Sequence, residues 1–441
     1  MSPKNSRKNE TALVNITGLS HEGRGIATLH GKTTFLQGGL MDEEVEFHYV
    51  KFRNKFDEGQ VVRVLKASPH RVLPRCSHYG VCGGCSLQHM DDEMQLQVKQ
   101  ATLLEQLKHF GHLEPENVLL PLCGATWGYR RKARLGVKFV NKKNKLLIGF
   151  RERNSPYLAD IHRCYVLHPD IGFKLELLAE VIASLQGYQK IPQVEIAVGD
   201  TGAALTFRHL EDLCVDDLEE LRHFSALHHY HLYLQPGGSE TIHRLYPDGE
   251  EECYLSYQLP AHSIELLFHP RDFIQVNAEI TQKMVDLAID LLSPSDDEDI
   301  LDLFCGLGNF TLPLARYCKT VTGIEGNEAM VKRAYQNAAH NDLHHVNFYC
   351  ANLCAIDESQ AWLQKSYDKI LLDPPRTGAL ALLPYLSKLQ AKRIVYISCN
   401  PATMARDARV LVNQGYRLVK VGIMNMFPHT QHVESIALFE K

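Results

Sequence analysis

The chain lacks any uninterrupted apolar run of the roughly 20 residues that a membrane-spanning helix needs, and this excludes such a helix as a reading of its 441 residues. Met1 to Glu10 is polar and basic, with no apolar segment of the secretory kind, so no export signal is expected and the cytoplasm is the expected compartment. Without export, twelve cysteines read as reduced thiols, for metal or for catalysis, rather than as a disulfide frame. Positive excess charge is missing too. Lys and Arg number 47 against 52 Asp and Glu, a formal charge of -5, which by itself argues against a polyanionic partner.

What is present changes that last reading. An apolar content of 45% and a charged content of 22% are those of a globular chain, long enough for two to four domains. The charge is segregated. Residues 127 to 153 hold ten Lys or Arg against the single acid Glu152, and residues 1 to 75 hold twelve against eight. Trp127, Tyr129, Phe139 and Phe150 interleave with the first group, a pattern suited to nucleic acid contact.

Along residues 12 to 66, short alternating runs (Ala12 to Ile16, Thr33 to Leu36, Glu44 to Val50, Gln60 to Leu65) are separated by glycine turns, which predicts a small all-β barrel. Lys51, Arg53 and Lys55 are expected on a loop where a phosphate backbone could lie. After a linker, Pro69 to Pro74, comes Cys76-x5-Cys82-x2-Cys85 with Gly80, Gly83 and Gly84 inside it. Three thiols so close, on a backbone free to wrap, form a metal-site signal that needs a fourth ligand. Candidates are Cys123, Cys164, His78 and His89. Zinc ribbons pair two Cys-x2-Cys hooks, whereas three thiols plus a remote fourth favour an iron–sulfur cluster. Asp91 to Gly111 predicts an amphipathic helix with Met94, Val98, Leu103, Leu104, Leu107 and Phe110 on its apolar stripe. Helices are also expected over Gly172 to Leu185 and Glu211 to Glu220, and no chemistry is read in residues 170 to 265.

From Phe268 onward strands and helices alternate, as in an open parallel sheet. Ile300 to Phe304 is a buried strand, and Cys305-Gly-Leu-Gly-Asn309 is its turn into a helix. The next strand ends at Glu325, nineteen residues past Gly306, where an acid can bind a ribose hydroxyl. Thr311 stands where a dinucleotide site would have its third glycine. Two further strands end in Asp373-Pro-Pro-Arg376 and Ser398-Cys-Asn-Pro401. Cys399 thus sits in a strand-to-helix turn at the sheet's ligand-binding edge, where a thiolate can act as nucleophile. If the last strand runs antiparallel, His432 and Glu434 return beside Cys399, so that five chain-distant segments meet on one rim.

These motifs, with Phe273-Ile-Gln-Val-Asn277, Asp302 to Asn309 and His432-Val-Glu-Ser435, resemble the RNA uracil-C5 methyltransferase family over the C-terminal third. The cysteine motif, together with Leu19 to Ala27, which is similar to the opening of an OB-like RNA-binding TRAM domain, resembles the branch that methylates 23S ribosomal RNA. The resemblance implies a multidomain α/β protein. Its parts are an N-terminal OB-like β-barrel over 1–69, a central α+β domain with the cluster over 70–266, and a Rossmann-like S-adenosylmethionine methyltransferase sheet over 267–441, onto which helix 91–111 can pack. It implies Cys399 as the nucleophile and Glu434 as the base. Gln275, Phe304, Asn309, Glu325, Asn352 and Asp373 are the implied S-adenosyl-L-methionine contacts. Cys76, Cys82, Cys85 and Cys164 are the implied ligands of a [4Fe-4S] cluster. The implied partner is a 23S rRNA loop whose uridine is flipped out, met by a monomer. A tRNA uracil-C5 enzyme, a non-catalytic RNA-binding assembly factor and an amino-group methyltransferase are the competing readings.

Overall fold

The computed structural model describes residues 10–249 and 253–441, so the basic stretch before Glu10 lies outside the described residues. The first sheet has six strands, Thr11–Asn15, Gly18–Leu19, Gly25–Leu29, Lys32–Gln37, Glu44–Phe52 and Phe56–Lys66. Alternation places Ile16, Ala27, Leu36, Val45 and Phe47 in one small core. Thr17 N–H donates to Ile26 O at 2.8 Å, curling the first strand toward the third. Gly59 is required where the sheet closes on that core, since a Cβ there would lie 2.5 Å from Phe47. Lys51 falls within the fifth strand rather than on the loop expected for it. The linker is pinned. Arg71 grips the fully buried Glu43 carboxylate, with Nη2 at 2.7 Å from Oε2.

A second six-stranded sheet takes its strands in the order His243–Tyr246, Tyr230–Gln235, Ala203–Arg208, Gln193–Val198, Lys132–Val140, Lys145–Gly149. Helices Leu175–Ser184 and Val215–His228 pack on its apolar side. Both expected helices are shifted. The first is broken after Gly172, and the second begins only at Val215, because Asp216 and Asp217 favour a helix's first turn while Glu211 to Cys214 precede it as loop.

The third sheet has eight strands, in the order Val346–Cys350, Thr320–Glu325, Asp299–Leu303, Lys369–Leu372, Arg393–Ser398, Glu434–Glu440, Arg417–Met424, Asn117–Val118. The first five run parallel, and Glu434–Glu440 is antiparallel to both of its neighbours. Successive residues serve opposite faces. Ile370, Leu372, Ile394 and Tyr396 pack toward helices Asp92–Gln106 and Pro401–Asn413, while Leu371, Val395 and Ile397 pack toward Ala278–Leu292 and Glu328–His340. The helix at 92 and the edge strand at 117 therefore belong with this sheet, although the sequence places them far from it. Of the helix's expected stripe, Leu103 and Leu107 are fully buried but Phe110 is 57% exposed, because the helix ends in a wider turn over Leu107–Gly111. Among the described residues no helix is long and apolar enough to cross a membrane.

Candidate active site

The turn that carries Cys399 is held by several hydrogen bonds. Asn400 caps helix Pro401–Asn413 by accepting Ala402 N–H at 3.2 Å, and its own Nδ2 donates to Arg376 O at 3.1 Å. Thr403 Oγ1 donates to the same carbonyl at 3.3 Å, so the Asp373-Pro-Pro-Arg376 loop is stitched to the Cys399 turn. Across the antiparallel pair Ser398 faces Ser435, whose hydroxyl donates to Ser398 O at 3.0 Å. Cys399 and Glu434 are the residues next to that pair on the two segments, near enough that the Glu434 charge acts on the thiol.

Electrostatics tie these groups together. Burial pushes the Cys399 thiol up to about 11, helped by the Glu434 and Asp373 carboxylates and opposed by the Arg376 guanidinium. Glu434 is 5% exposed. Burial, then the charge of Asp373, pushes its carboxyl well above the usual range, while Arg376 pulls it down. Arg376 Nη2 lies 3.4 Å from His432 Nδ1 at the exposed lip.

Beside this group lies the glycine turn. Burial raises Asp373 to about 7 and Asp302 to about 7, the latter helped by Asp373, so one carboxylate is felt by both halves of the rim. Phe304 holds φ +67°, a left-handed conformation rare for a bulky residue and characteristic of functional turns. Gly306 N–H donates to Glu325 Oε2 at 3.1 Å, placing that acid against the turn. Thr311 Oγ1 donates to Asp302 Oδ2 at 2.5 Å, and Asp302 Oδ1 is buried without a partner. Asn309 Oδ1 accepts from Tyr257 at 2.9 Å, leaving its buried Nδ2 unpartnered. An orphaned donor and an orphaned acceptor beside a glycine turn fit a ligand with both amino and carboxylate groups. Gln275 is half-buried in the segment leading into helix Ala278–Leu292, and Asn352 is exposed, its Oδ1 accepting Cys354 N–H at 2.9 Å. Arg376 and Asp302 are visible in the sequence only within their motifs, and Tyr257 belongs to no motif, since its contact with Asn309 crosses 52 residues.

Cys76, Cys82, Cys85 and Cys164 line one cavity. Cys123 is elsewhere, exposed and bonded to Pro121 O, and His89 is taken by the Tyr79 hydroxyl at 2.6 Å. Among the described residues no three His, Cys, Asp or Glu side chains close tightly enough to hold a metal ion as they stand. Burial, then the sister thiols, raise Cys82 to about 11 and Cys85 to about 12. The loop is bonded to the segment that precedes Glu434. Ser86 and Leu87 N–H both donate to His429 O at 2.9 Å, and Trp127 stacks on His429 at 3.9 Å.

The basic stretch is partly committed to structure. Lys132 donates to Pro270 O at 3.1 Å, Arg131 pairs with Asp200, and Arg153 donates to Cys85 O. Tyr129 is buried, donating to Pro428 O at 3.1 Å, and Phe139 and Phe150 pack against the central core.

Comparison with known proteins decides the family. The tRNA (Uracil-5-)-methyltransferase family model matches residues 251–441. Proteins named 23S rRNA (uracil(1939)-C(5))-methyltransferase RlmD align almost end to end. The Alcanivorax borkumensis protein is 52% identical, covering 97% of this chain and 96% of the relative. The Legionella pneumophila protein is 47% identical, covering 100% and 99%. The chain belongs to the RlmD family of 23S rRNA (uracil-C5)-methyltransferases. A solved family fold is similar as well. The Pyrococcus abyssi tRNA (uracil-54, C5)-methyltransferase in complex with S-adenosyl-L-homocysteine superposes with a TM-score of 0.72 at 24% identity, over 97% of this chain and 100% of that one. The fold is thus the multidomain α/β fold of a uracil-C5 methyltransferase.

Proposed function

We propose that the protein methylates C5 of a uridine in 23S rRNA, the nucleotide being the one its relatives are named for, U1939. The observation that carries the chemistry is that Cys399 and Glu434 lie at adjacent strand ends, next to the Ser398–Ser435 pair, with the Glu434 charge acting on the thiol. Uracil C5 is too weak a nucleophile to be alkylated directly. Cys399 thiolate adds to C6, forming an S–C bond and driving the C5=C6 electrons toward O4. S-adenosyl-L-methionine, when bound, supplies a methyl group on a sulfonium. Asn309, Glu325, Asp373, Phe304, Gln275 and Asn352 would hold it, the unpartnered Asn309 Nδ2 being the best supported of these. Once C5 has taken the methyl, the S–CH3 bond of the sulfonium having broken to leave the neutral thioether S-adenosyl-L-homocysteine, Glu434 removes the C5 proton. The electron pair re-forms C5=C6 and expels the thiolate, restoring the free cysteine. Burial raises the Glu434 carboxyl, which makes its carboxylate a stronger base than an exposed one. Arg376, facing both, is placed to carry charge that develops on the ring.

The N-terminal sheet is read as a TRAM-like RNA-binding barrel. The four thiols of Cys76, Cys82, Cys85 and Cys164 are read as the ligands of a [4Fe-4S] cluster. Three of the thiols stand close together on a glycine-rich loop and the fourth is remote in sequence, yet all four line one cavity, a distribution that suits a cluster. Its chemistry here would be that of a staple, binding the loop that carries Ser86 and Leu87 and through it the hairpin before Glu434. We divide the chain at 1–69, 70–266 and 267–441, and read it as a cytoplasmic monomer that flips its target base out of the RNA stack. Labelled S-adenosylmethionine with unmodified 23S rRNA or tRNA, followed by mapping of the labelled base, tests the reading. Label at a uridine C5 of 23S rRNA is expected. Label on tRNA alone, on an amino group, or nowhere overturns it.

A further inference from the structure

A continuous groove leads away from the catalytic lip. Its first part, about 530 Å³, is lined by Phe35 and Gln60 of the N-terminal sheet, Ser86 of the cysteine loop, Arg153 and His432. A saddle shares Gly83, Gly84, Arg153 and Asn154 with that cleft. The same saddle shares Phe150, Arg151 and Glu152 with a larger cleft of about 840 Å³ on the central sheet.

The larger cleft follows from how strand Lys132–Val140 is written. Ala133, Leu135 and Val137 enter the helix-covered core, so Arg134, Gly136 and Lys138 must face the other way. Gly136 leaves room for Leu158, which a Cβ there would meet at 2.6 Å, and the floor is therefore apolar. Gln193 pairs with both Gly136 and Arg208, which brings Arg208 to the same face. Five cations line the cleft, Arg134, Lys138, Lys143, Arg151 and Arg208, against the one carboxylate Glu152. Arg134 is bonded to Glu195 at 2.8 Å and Lys143 to Asp160 at 3.4 Å. Lys138, Arg151 and Arg208 are exposed and have no ion pair among the described residues. Tyr157, 72% exposed, stands at the edge.

We infer that this groove carries the single-stranded RNA segment adjoining the target uridine, its phosphates on Lys138, Arg151 and Arg208 and one base stacked on Tyr157. The inference rests on the RNA-methylating reading above and deepens it. Unpaired RNA fits because an apolar floor and an open aromatic ring meet base faces, which a duplex keeps stacked inside. The local cations also give a protein of net charge -5 a face that attracts phosphate.

The test uses the full chain and three RNAs: the target loop alone, the loop with its unpaired flank, and the loop with that flank held in a duplex. For Lys138→Glu/Arg208→Glu, KM on the flanked RNA should rise about tenfold, with the loop-only KM and both kcat values unchanged. The slope of log Kd against log salt should fall by about two. Tyr157→Ala should raise the same KM about tenfold through lost stacking. Equal KM for variants and wild type on the flanked RNA, equal losses on all three RNAs, or a duplex flank bound as tightly as the unpaired one would overturn the groove. Wild-type protein whose binding depends on these cations but which methylates no uridine would leave the groove standing and overturn the functional reading instead.

Discussion

Two regions of this molecule hold partly buried cysteines whose thiols burial has raised to about 11 or above, and they differ in what surrounds the sulfur. Around Cys399 the neighbours are a buried carboxylic acid, a second acid and a guanidinium, on the ends of strands fixed by the sheet. Around Cys82 and Cys85 the neighbours that raise the thiol further are other thiols, on a glycine-rich loop. A lone sulfur facing a base can add to a ring and be released. Four sulfurs lining one cavity repel one another as thiolates, a repulsion that bound cations would relieve.

Cys399→Ala separates the two regions by the largest effect. Loss of turnover by about 10⁴-fold is expected, with no covalent complex on RNA containing 5-fluorouridine. A retained complex, seen as a band shift on a denaturing gel, would move the nucleophile elsewhere. Glu434→Gln should lower kcat by about 10²–10⁴-fold and should leave the first step alive. The adduct then accumulates with ordinary uridine RNA, and mass spectrometry that found none would remove Glu434 from the base's role.

On the other side, Cys164→Ser should deplete iron and cost stability by about 4 kcal/mol, as loss of a bound metal does, read by metal analysis and thermal melting. Iron content equal to wild type would exclude Cys164 as a ligand. The smallest effect concerns pH. With its thiol raised to about 11, Cys399 of the free protein should be alkylated faster at each step upward from pH 7 to 9, roughly tenfold per unit. Because the Glu434 carboxylate disfavours the thiolate, Glu434→Gln should shift that profile toward lower pH. An unmoved profile would show that burial alone sets the thiol.

Much of the C-terminal fold was legible because parallel strands buried on both faces are written as short apolar runs, and their ends fall where glycine, Asp-Pro-Pro and Cys-Asn-Pro break the pattern. The central region was less legible. Its basic stretch mixes cations that grip their own backbone, such as Lys132 and Arg153, with cations that face outward, such as Lys138, and composition cannot separate them. Tyr157, just past the basic stretch, is exposed, while Tyr129 within it lies buried.

The sequence by itself determined the chemistry at hand: a cysteine, a glutamate and a glycine turn at strand ends, and three thiols on a loop, because local backbone preferences and period-two burial are properties of neighbouring residues. The tertiary structure alone decided who meets whom. It set Tyr257 against Asn309, a helix at residue 92 beneath strands past residue 390, and His429 under the cysteine loop. Those contacts span tens to hundreds of residues, and only the packing of whole layers fixes them.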